Sequence, residues 1–427
     1  MTLRGHRGVR QLGKTLADNR SEAMRFVARR SCYLVDLTAV LCSLATVTMA
    51  DDGRGLRRGG DPQQISISGL SSGAAMAVQY AVAHSSTVTA VGAVAGPQWA
   101  CAGGSLSRAV NACMCGRDAL TPTIDTAHRL AARGAIDDLP SGKPQSLRRS
   151  WVFQSPADET VTAASGGADA VFLTAFIGSE PELDRGNAAD GSDRAGHGII
   201  SPGGTDACAD DGTEASFIRR CGAEDNPGKM FHALFDAQAP YDPDQRAPQV
   251  PASEVWAFDQ QHVIEQVKSS HPPLADDYFN AFWFWWPDQS ARRSNLDMAS
   301  TGYIYVPPSC RTASSACRVH IALHGCKQDA RQFAQLAGYN EWAERYRTIV
   351  VYPAIAPSEA VPGAVCRLPA VDGVADAAWI EPNPNGCWDW WGYLDTSSNK
   401  GRYLTKQAPQ IRALEGIIAE VTAPGSN

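Results

Sequence analysis

Apolar and polar residues alternate along Ile65-Ser66-Ile67-Ser68, and an Ala-rich run with helical character takes over after Gly73. The pattern predicts a strand, a sharp turn and a helix reaching about Ala83. Residues 88–95, mostly apolar and closed by Gly96-Pro97, read as a buried strand. Helical periodicity returns over 124–135, a short strand is expected at 151–154, and another helix over 228–237. Residues 302–306, 319–323 and 348–352 read as further strands, and Ile411, Leu414, Ile418 and Val421 lay one apolar stripe along a last helix. The segments 98–118 and 201–226 read as cysteine-bearing loops, and 240–251 as a Pro- and Asp-rich surface excursion. Strands alternating with helices predict an α/β fold with a mostly parallel central sheet flanked by helices. No internal repeat interrupts the pattern.

The 427 residues, 44% of them hydrophobic, suffice for one large α/β domain with insertions or two smaller ones. Lys and Arg number 38 against 45 Asp and Glu, and the net charge of -7 is spread along the chain. With no basic face or aromatic-basic motif, no nucleic-acid partner is expected. Arg29-Arg30 precede an apolar stretch over 37–47 that ends in Thr48-Met49-Ala50, the layout of a secretory signal peptide, with Met24 as a second possible start. The run is too short for a comfortable membrane span, so stable membrane insertion is not expected. Residues 1–50 are therefore expected to be an N-terminal extension and signal peptide, and 51–61 a mobile leader. Residues 62–420 are expected to be one catalytic domain with an insertion around 240–300.

Twelve cysteines agree with export: Cys32 and Cys42 would leave with the signal, and ten remain. Cys113-Met114-Cys115 lacks zinc-ligand spacing, so disulfides are expected and no metal. Cys208 is expected to pair with Cys221, and Cys310 with Cys317 across a hairpin.

The candidate chemistry starts at Gly69-Leu70-Ser71-Ser72-Gly73. A serine on a strained strand-to-helix turn needs neighbours without a Cβ two places either side, which makes Ser71 the candidate nucleophile. The N–H of Ser72 opens the helix and points where an oxyanion forms. Asp158, just past the 151–154 strand, is the first choice for orienting a histidine, with Glu159 as the fallback. Of nine histidines, His197 stands in a glycine-flanked loop after Asp158, giving the chain order Ser, Asp, His of the α/β-hydrolases. The 319–323 strand runs into His324-Gly325-Cys326, and a His-Gly turn there supplies a second oxyanion donor, assigned to the Cys326 N–H. The aromatic run Tyr278-Phe279-Asn280-Ala281-Phe282-Trp283-Phe284-Trp285-Trp286-Pro287 reads equally as packed core or as a contact for an apolar substrate.

With these residues in view the chain resembles the polyhydroxybutyrate depolymerase family. The matching pieces include the Ser71 turn, Ser155-Pro156-Ala157-Asp158, Gly196-His197, Leu323-His324-Gly325-Cys326-Lys327-Gln328, Gly338-Tyr339-Asn340 and Asn383-Pro384-Asn385-Gly386-Cys387-Trp388-Asp389-Trp390. The resemblance implies a circularly permuted α/β-hydrolase with disulfide-stapled loops, a serine esterase acting on a short-chain hydroxyalkanoate polyester or oligoester, and no cofactor. It maps the triad onto Ser71, Asp158 and His197 and the oxyanion hole onto Ser72 and Cys326. It also implies a Cys326–Cys387 disulfide and Trp388 lining the substrate groove. Gly198-Ile199-Ile200 after His197 departs from the family pattern, and the 240–300 insertion is longer than in compact members. No linker or polymer-binding domain is visible after 420, which favours soluble oligomers or amorphous polymer. A secreted carboxylesterase for feruloyl or acetyl esters of polysaccharide is the alternative, and a non-enzymatic adhesive or granule-binding protein on the same scaffold is the third reading. Either enzyme would work outside the cytoplasm, in the medium or the periplasm.

Overall fold

Ser66 and Ser68 belong to the central strand of the sheet, and neither is exposed. The computed structural model describes residues 56–116, 123–139, 147–210, 216–270, 296–312, 316–357, 383–395 and 401–424, all within the unit 51–427. Residues 1–55 and the aromatic run at 278–287 lie outside the described residues.

Eleven strands are described: β1 (Ile65–Leu70), β2 (Val88–Val94), β3 (Arg149–Phe153), β4 (Glu182–Asp184), β5 (Ile199–Ile200), β6 (Asp206–Ala207), β7 (Ile218–Arg220), β8 (Val255–Asp259), β9 (Thr301–Tyr305), β10 (Arg318–Leu323) and β11 (Thr348–Tyr352). Eight form one sheet in the order β4-β3-β2-β1-β10-β11-β9-β8. Six are parallel, from β4 to β11, while β9 runs antiparallel to β11 and β8 antiparallel to β9. β1, the strand before the Ser71 turn, comes first along the chain yet lies in the middle, with Gly69 opposite Leu323 of the much later β10. That order is the circular permutation. β5, β7 and β6 make a separate three-stranded sheet.

Two apolar layers cover the sheet. On one face Ile65, Ile67, Val319 and Ile321 pack with helix α1 (Ser72–Ala83), helix α2 (Ala163–Ile177) and the final helix α3 (Pro409–Thr422). On the other, Phe231, Tyr339 and Trp342 pack over Trp151, Phe153 and Val350. The alternation in β1 thus separates two buried faces, and its serines face a buried histidine. Ser66 Oγ lies 2.8 Å from Nδ1 of His320 and Ser68 Oγ 2.8 Å from Nε2, with the Tyr339 hydroxyl 2.9 Å from Ser68. Burial pushes the His320 imidazole down to about 3, so it is neutral at ordinary pH.

Two expectations about organisation are corrected. Residues 56–61 are tied down: Gly59 N donates to Ala423 O at 2.8 Å and Asp61 N to Cys317 O at 2.8 Å, and Leu56 is buried. Residues 255–270, within the stretch read as an insertion, are integral, because β8 closes one edge of the sheet and the helix Gln260–Ser270 packs against α3. Cysteine bonds join Cys101 to Cys113, Cys208 to Cys221, Cys310 to Cys317 and Cys326 to Cys387.

Candidate active site

β1 hands the chain to α1 through Ser71, which stands at φ 56° and ψ -119°, a region bulky residues avoid. Its N–H donates to Val94 O at 2.9 Å and its carbonyl accepts from Ala75 N at 3.0 Å. A Cβ on residue 69 would lie 2.3 Å from the Gly73 carbonyl carbon, and one on residue 73 would lie 2.4 Å from the carbonyl oxygens of Leu323 and His324. Both glycines are therefore steric requirements, one of the elbow itself and one of its packing against β10. Ser71 is partly exposed, and the Ser72 N–H starts α1 where helix geometry supplies no internal acceptor.

Asp158 follows β3 and His197 follows β4, so with Ser71 after β1 all three stand past the carboxyl ends of parallel strands. His197 Nδ1 lies 2.8 Å from Asp158 Oδ2, and both residues are buried. The other oxygen, Oδ1, accepts from the amides of Thr160 and Val161 at 2.9 Å each. One carboxylate thus closes its own turn and holds the imidazole. With Oδ2 as acceptor the ring proton sits on Nδ1, leaving Nε2 as a base. Glu159 points to the surface.

The β10 corner closes against Ser71: a Cβ on Gly325 would stand 3.3 Å from Ser71 Cβ. Both sides of that residue are pinned. Gly325 N donates to Gln328 Oε1 at 2.5 Å, while its carbonyl lies 2.8 Å from His324 Nδ1. The Ile355 amide donates to His324 Nε2 at 3.0 Å, so the ring proton is on Nδ1 and donates to Gly325 O. In a trans peptide the Cys326 N–H points opposite to that carbonyl. Burial holds His324 below its ordinary value and keeps it neutral, as an acceptor at Nε2 must be.

The 383–393 loop locks this corner. Cys387 is bonded to Cys326, Trp388 N donates to Ser72 Oγ at 3.3 Å, and Trp388 Nε1 donates to His324 O at 3.0 Å. Trp388, expected on the groove wall, is fully buried and joins the two corners that would form the oxyanion hole.

Contacts lead from the Ser71 turn to His197. Gln328 beside Gly325 donates through Nε2 to Ser216 O at 2.7 Å, and the adjacent Phe217 ring meets His197 edge-on, centroids 6.0 Å apart.

Residues 301–366 match the family model described as Esterase PHB depolymerase. The chain is 25% identical over 391 residues to a poly(3-hydroxybutyrate) depolymerase of Delftia acidovorans, covering 90% of this chain and 64% of that protein. It is 36% identical over 119 residues to a polyhydroxybutyrate depolymerase of Talaromyces funiculosus, covering 26% of this chain and 31% of that protein. The chain is similar to PHB depolymerases. It spans under two thirds of the length of these curated relatives. The fold matches the crystal structure of PHB depolymerase from Penicillium funiculosum with a TM-score of 0.61 at 23% identity, over 86% of this chain and 98% of that one. A PHB depolymerase complexed with an R3HB trimer matches with the same TM-score and coverage at 22% identity.

The sequence alone does not reveal the parts played by the His324 ring and Gln328. Gln328 had a local signal, since a side-chain acceptor three residues after a Gly-containing corner suits a turn cap. The His324 ring had none, because its partner amide belongs to Ile355.

Proposed function

We propose that this protein is a secreted serine esterase that hydrolyses poly(3-hydroxybutyrate) or a related short-chain polyhydroxyalkanoate, or their oligoesters, through an acyl-enzyme. His197 Nε2 takes the Ser71 proton, the alkoxide attacks the ester carbonyl, and Asp158 stabilises the imidazolium. The amides of Ser72 and Cys326 receive the oxyanion; one such donor contributes about 3–4 kcal/mol of barrier lowering. His197 then protonates the leaving alcohol, and a water activated by the same base releases the hydroxyacid.

The observation that carries the reading is the strained Ser71 turn with the Gly325 corner packed on its Cβ, because nothing in folding alone requires a serine at φ 56° against a pinned peptide. The PHB depolymerase relatives support the polyester as substrate. The disulfides support an oxidising compartment, medium or periplasm. An uncharged polyester is held by apolar walls instead of a cationic clamp.

The test compares wild type with Ser71→Ala on amorphous and crystalline polyhydroxybutyrate suspensions, p-nitrophenyl butyrate and a feruloyl ester. Clearing of a polyester suspension by wild type and its loss in the variant support the proposal. Turnover of the feruloyl ester alone replaces the substrate class, and ester turnover unchanged in Ser71→Ala rejects the nucleophile. Mass spectrometry of exported protein is expected to find its N-terminus near Asp51; an intact N-terminus in the cytoplasm rejects export.

A further inference from the structure

We infer that Arg219 is a positioning residue for the catalytic base, an assignment that rests on reading His197 as that base. Arg219 lies in β7 and is completely buried. Its Nε and Nη2 both reach the main-chain carbonyl of His197, at 3.0 and 2.7 Å. Asp206 and Asp210 stand 3.9 and 3.8 Å from Nη1, and the guanidinium lies over the Phe217 ring, 5.8 Å from its centroid.

The surroundings are shaped for this fork. A Cβ on residue 198 would come within 2.9 Å of the Arg219 side chain, and one on residue 204 would meet the Arg219 carbonyl oxygen at 2.4 Å. Gly198 therefore leaves room for the arginine side chain, and Gly204 for the main chain of β7 that carries it. Backbone bonds flank the histidine, Gly196 N to Cys208 O at 2.8 Å and Ile199 N to Phe217 O at 3.0 Å. The guanidinium takes the carbonyl between them.

An apolar side chain of similar length would fill the same volume without the cost of burying a charge. What the arginine adds is a planar two-donor grip that fixes one peptide in place and direction. The His197 imidazole must reach Asp158 on one side and Ser71 on the other, so a tilt of that peptide misaligns the proton transfer. The same segment also steadies the oxyanion corner, because Ser216 O accepts from Gln328, which holds the Gly325 amide. Base and oxyanion corner thus hang on four consecutive residues.

The experiment uses the full chain and two variants, Arg219→Met and Arg219→Lys. For each, kcat and KM on p-nitrophenyl butyrate are measured beside the low-field proton signal of His197 Nδ1–H, which reports the bond to Asp158 without any substrate. Arg219→Met is expected to lower kcat by one to two orders of magnitude at a KM within about twofold of wild type, and to broaden or shift the low-field signal. Arg219→Lys, which keeps the charge and one donor, is expected to recover part of both. A folded Arg219→Met with wild-type kcat and an unchanged signal overturns the inference. If Arg219→Met does not fold, Arg219→Lys decides: wild-type kcat and signal overturn the inference, and a several-fold loss of kcat with a displaced signal supports it. If wild type hydrolyses no ester, the proposed function fails while the low-field signal still judges Arg219.

Discussion

Replacing Gly73 by alanine tests the steric logic of the site most directly. The new Cβ would lie 2.4 Å from the carbonyl oxygens of both Leu323 and His324, closer than real Cβ contacts come. Both oxygens are main chain, and no rotamer change relieves the clash. Restoring an ordinary contact separates the Ser71 turn from the β10 corner by about 1 Å, and a displacement of that size at reacting groups costs roughly 10²-fold in rate. Loss of one oxyanion donor gives a similar figure, about 10²–10³-fold. The strain itself costs about 1–3 kcal/mol of stability. The expected outcome is a folded Gly73→Ala protein with kcat on p-nitrophenyl butyrate down about 10²-fold, little change in KM, and slowed labelling of Ser71 by a phosphonate. Gly167→Ala is the control: its Cβ meets nothing within 4 Å, so activity is expected to stay and stability to rise by roughly 0.5–1 kcal/mol. A Gly73→Ala enzyme with kcat within twofold of wild type refutes the reasoning, because the Cys326 amide would then not depend on the fit between these corners.

Asp158→Asn can keep the turn bonds through Oδ1 but presents an NH₂ to His197, so kcat is expected to fall about 10⁴-fold with the melting temperature nearly unchanged; a loss under tenfold contradicts the assigned tautomer. Removing the Cys326–Cys387 bond, whose ends are separated by 61 in sequence, by the double change to serine is expected to cost roughly 4 kcal/mol in urea melts and to lower kcat. An unchanged midpoint counts against the bond. Burial pushes Asp169 up from 3.8 to about 7, so its carboxyl is neutral in the fold while the unfolded chain ionises. That contribution is complete below about pH 4 and is lost as pH rises through 7, so Asp169→Asn is expected to gain on wild type between pH 4 and pH 8, by up to roughly 4 kcal/mol. Urea melts at the two pH values check it, and a gain equal at both refutes it.

The legible parts of the chain were those whose cause is local. The Ser71 elbow shows in five residues because the constraint is steric, and Asp158 shows because a strand ends just before it. β4 was hard to see, since Glu182-Leu183-Asp184 is a polar edge strand three residues long with no apolar run to announce it. β8 was hidden for a different reason: Val255-Trp256-Ala257-Phe258 is apolar, but this edge strand follows a Pro-rich stretch and only Phe258 is buried, so neither its flanks nor an in-out alternation announce it. Residues 56–61 read as mobile because their partners are the main chain at 317, 421 and 423. His320 drew no attention as a lone strand histidine, and its role as filler between two serine hydroxyls needs the β1–β10 register to be visible. The fully enclosed Trp388 shows the same limit: aromatic density marks the loop, and only the fold tells groove wall from interior.

The pairing of β1 with β10 sets a schedule for biosynthesis. Ile65 finds its β10 neighbour at Val319, and the partner of Cys326 arrives at Cys387, so a growing polypeptide carries β1 with one flank open until Val319 and its neighbours have been made. Until that partner leaves the ribosome, the serine has no opposing corner to complete its pocket. Contacts of such sequence separation also make assembly slow. The corner around Ser71 is therefore completed late, a delay written into the order of its strands.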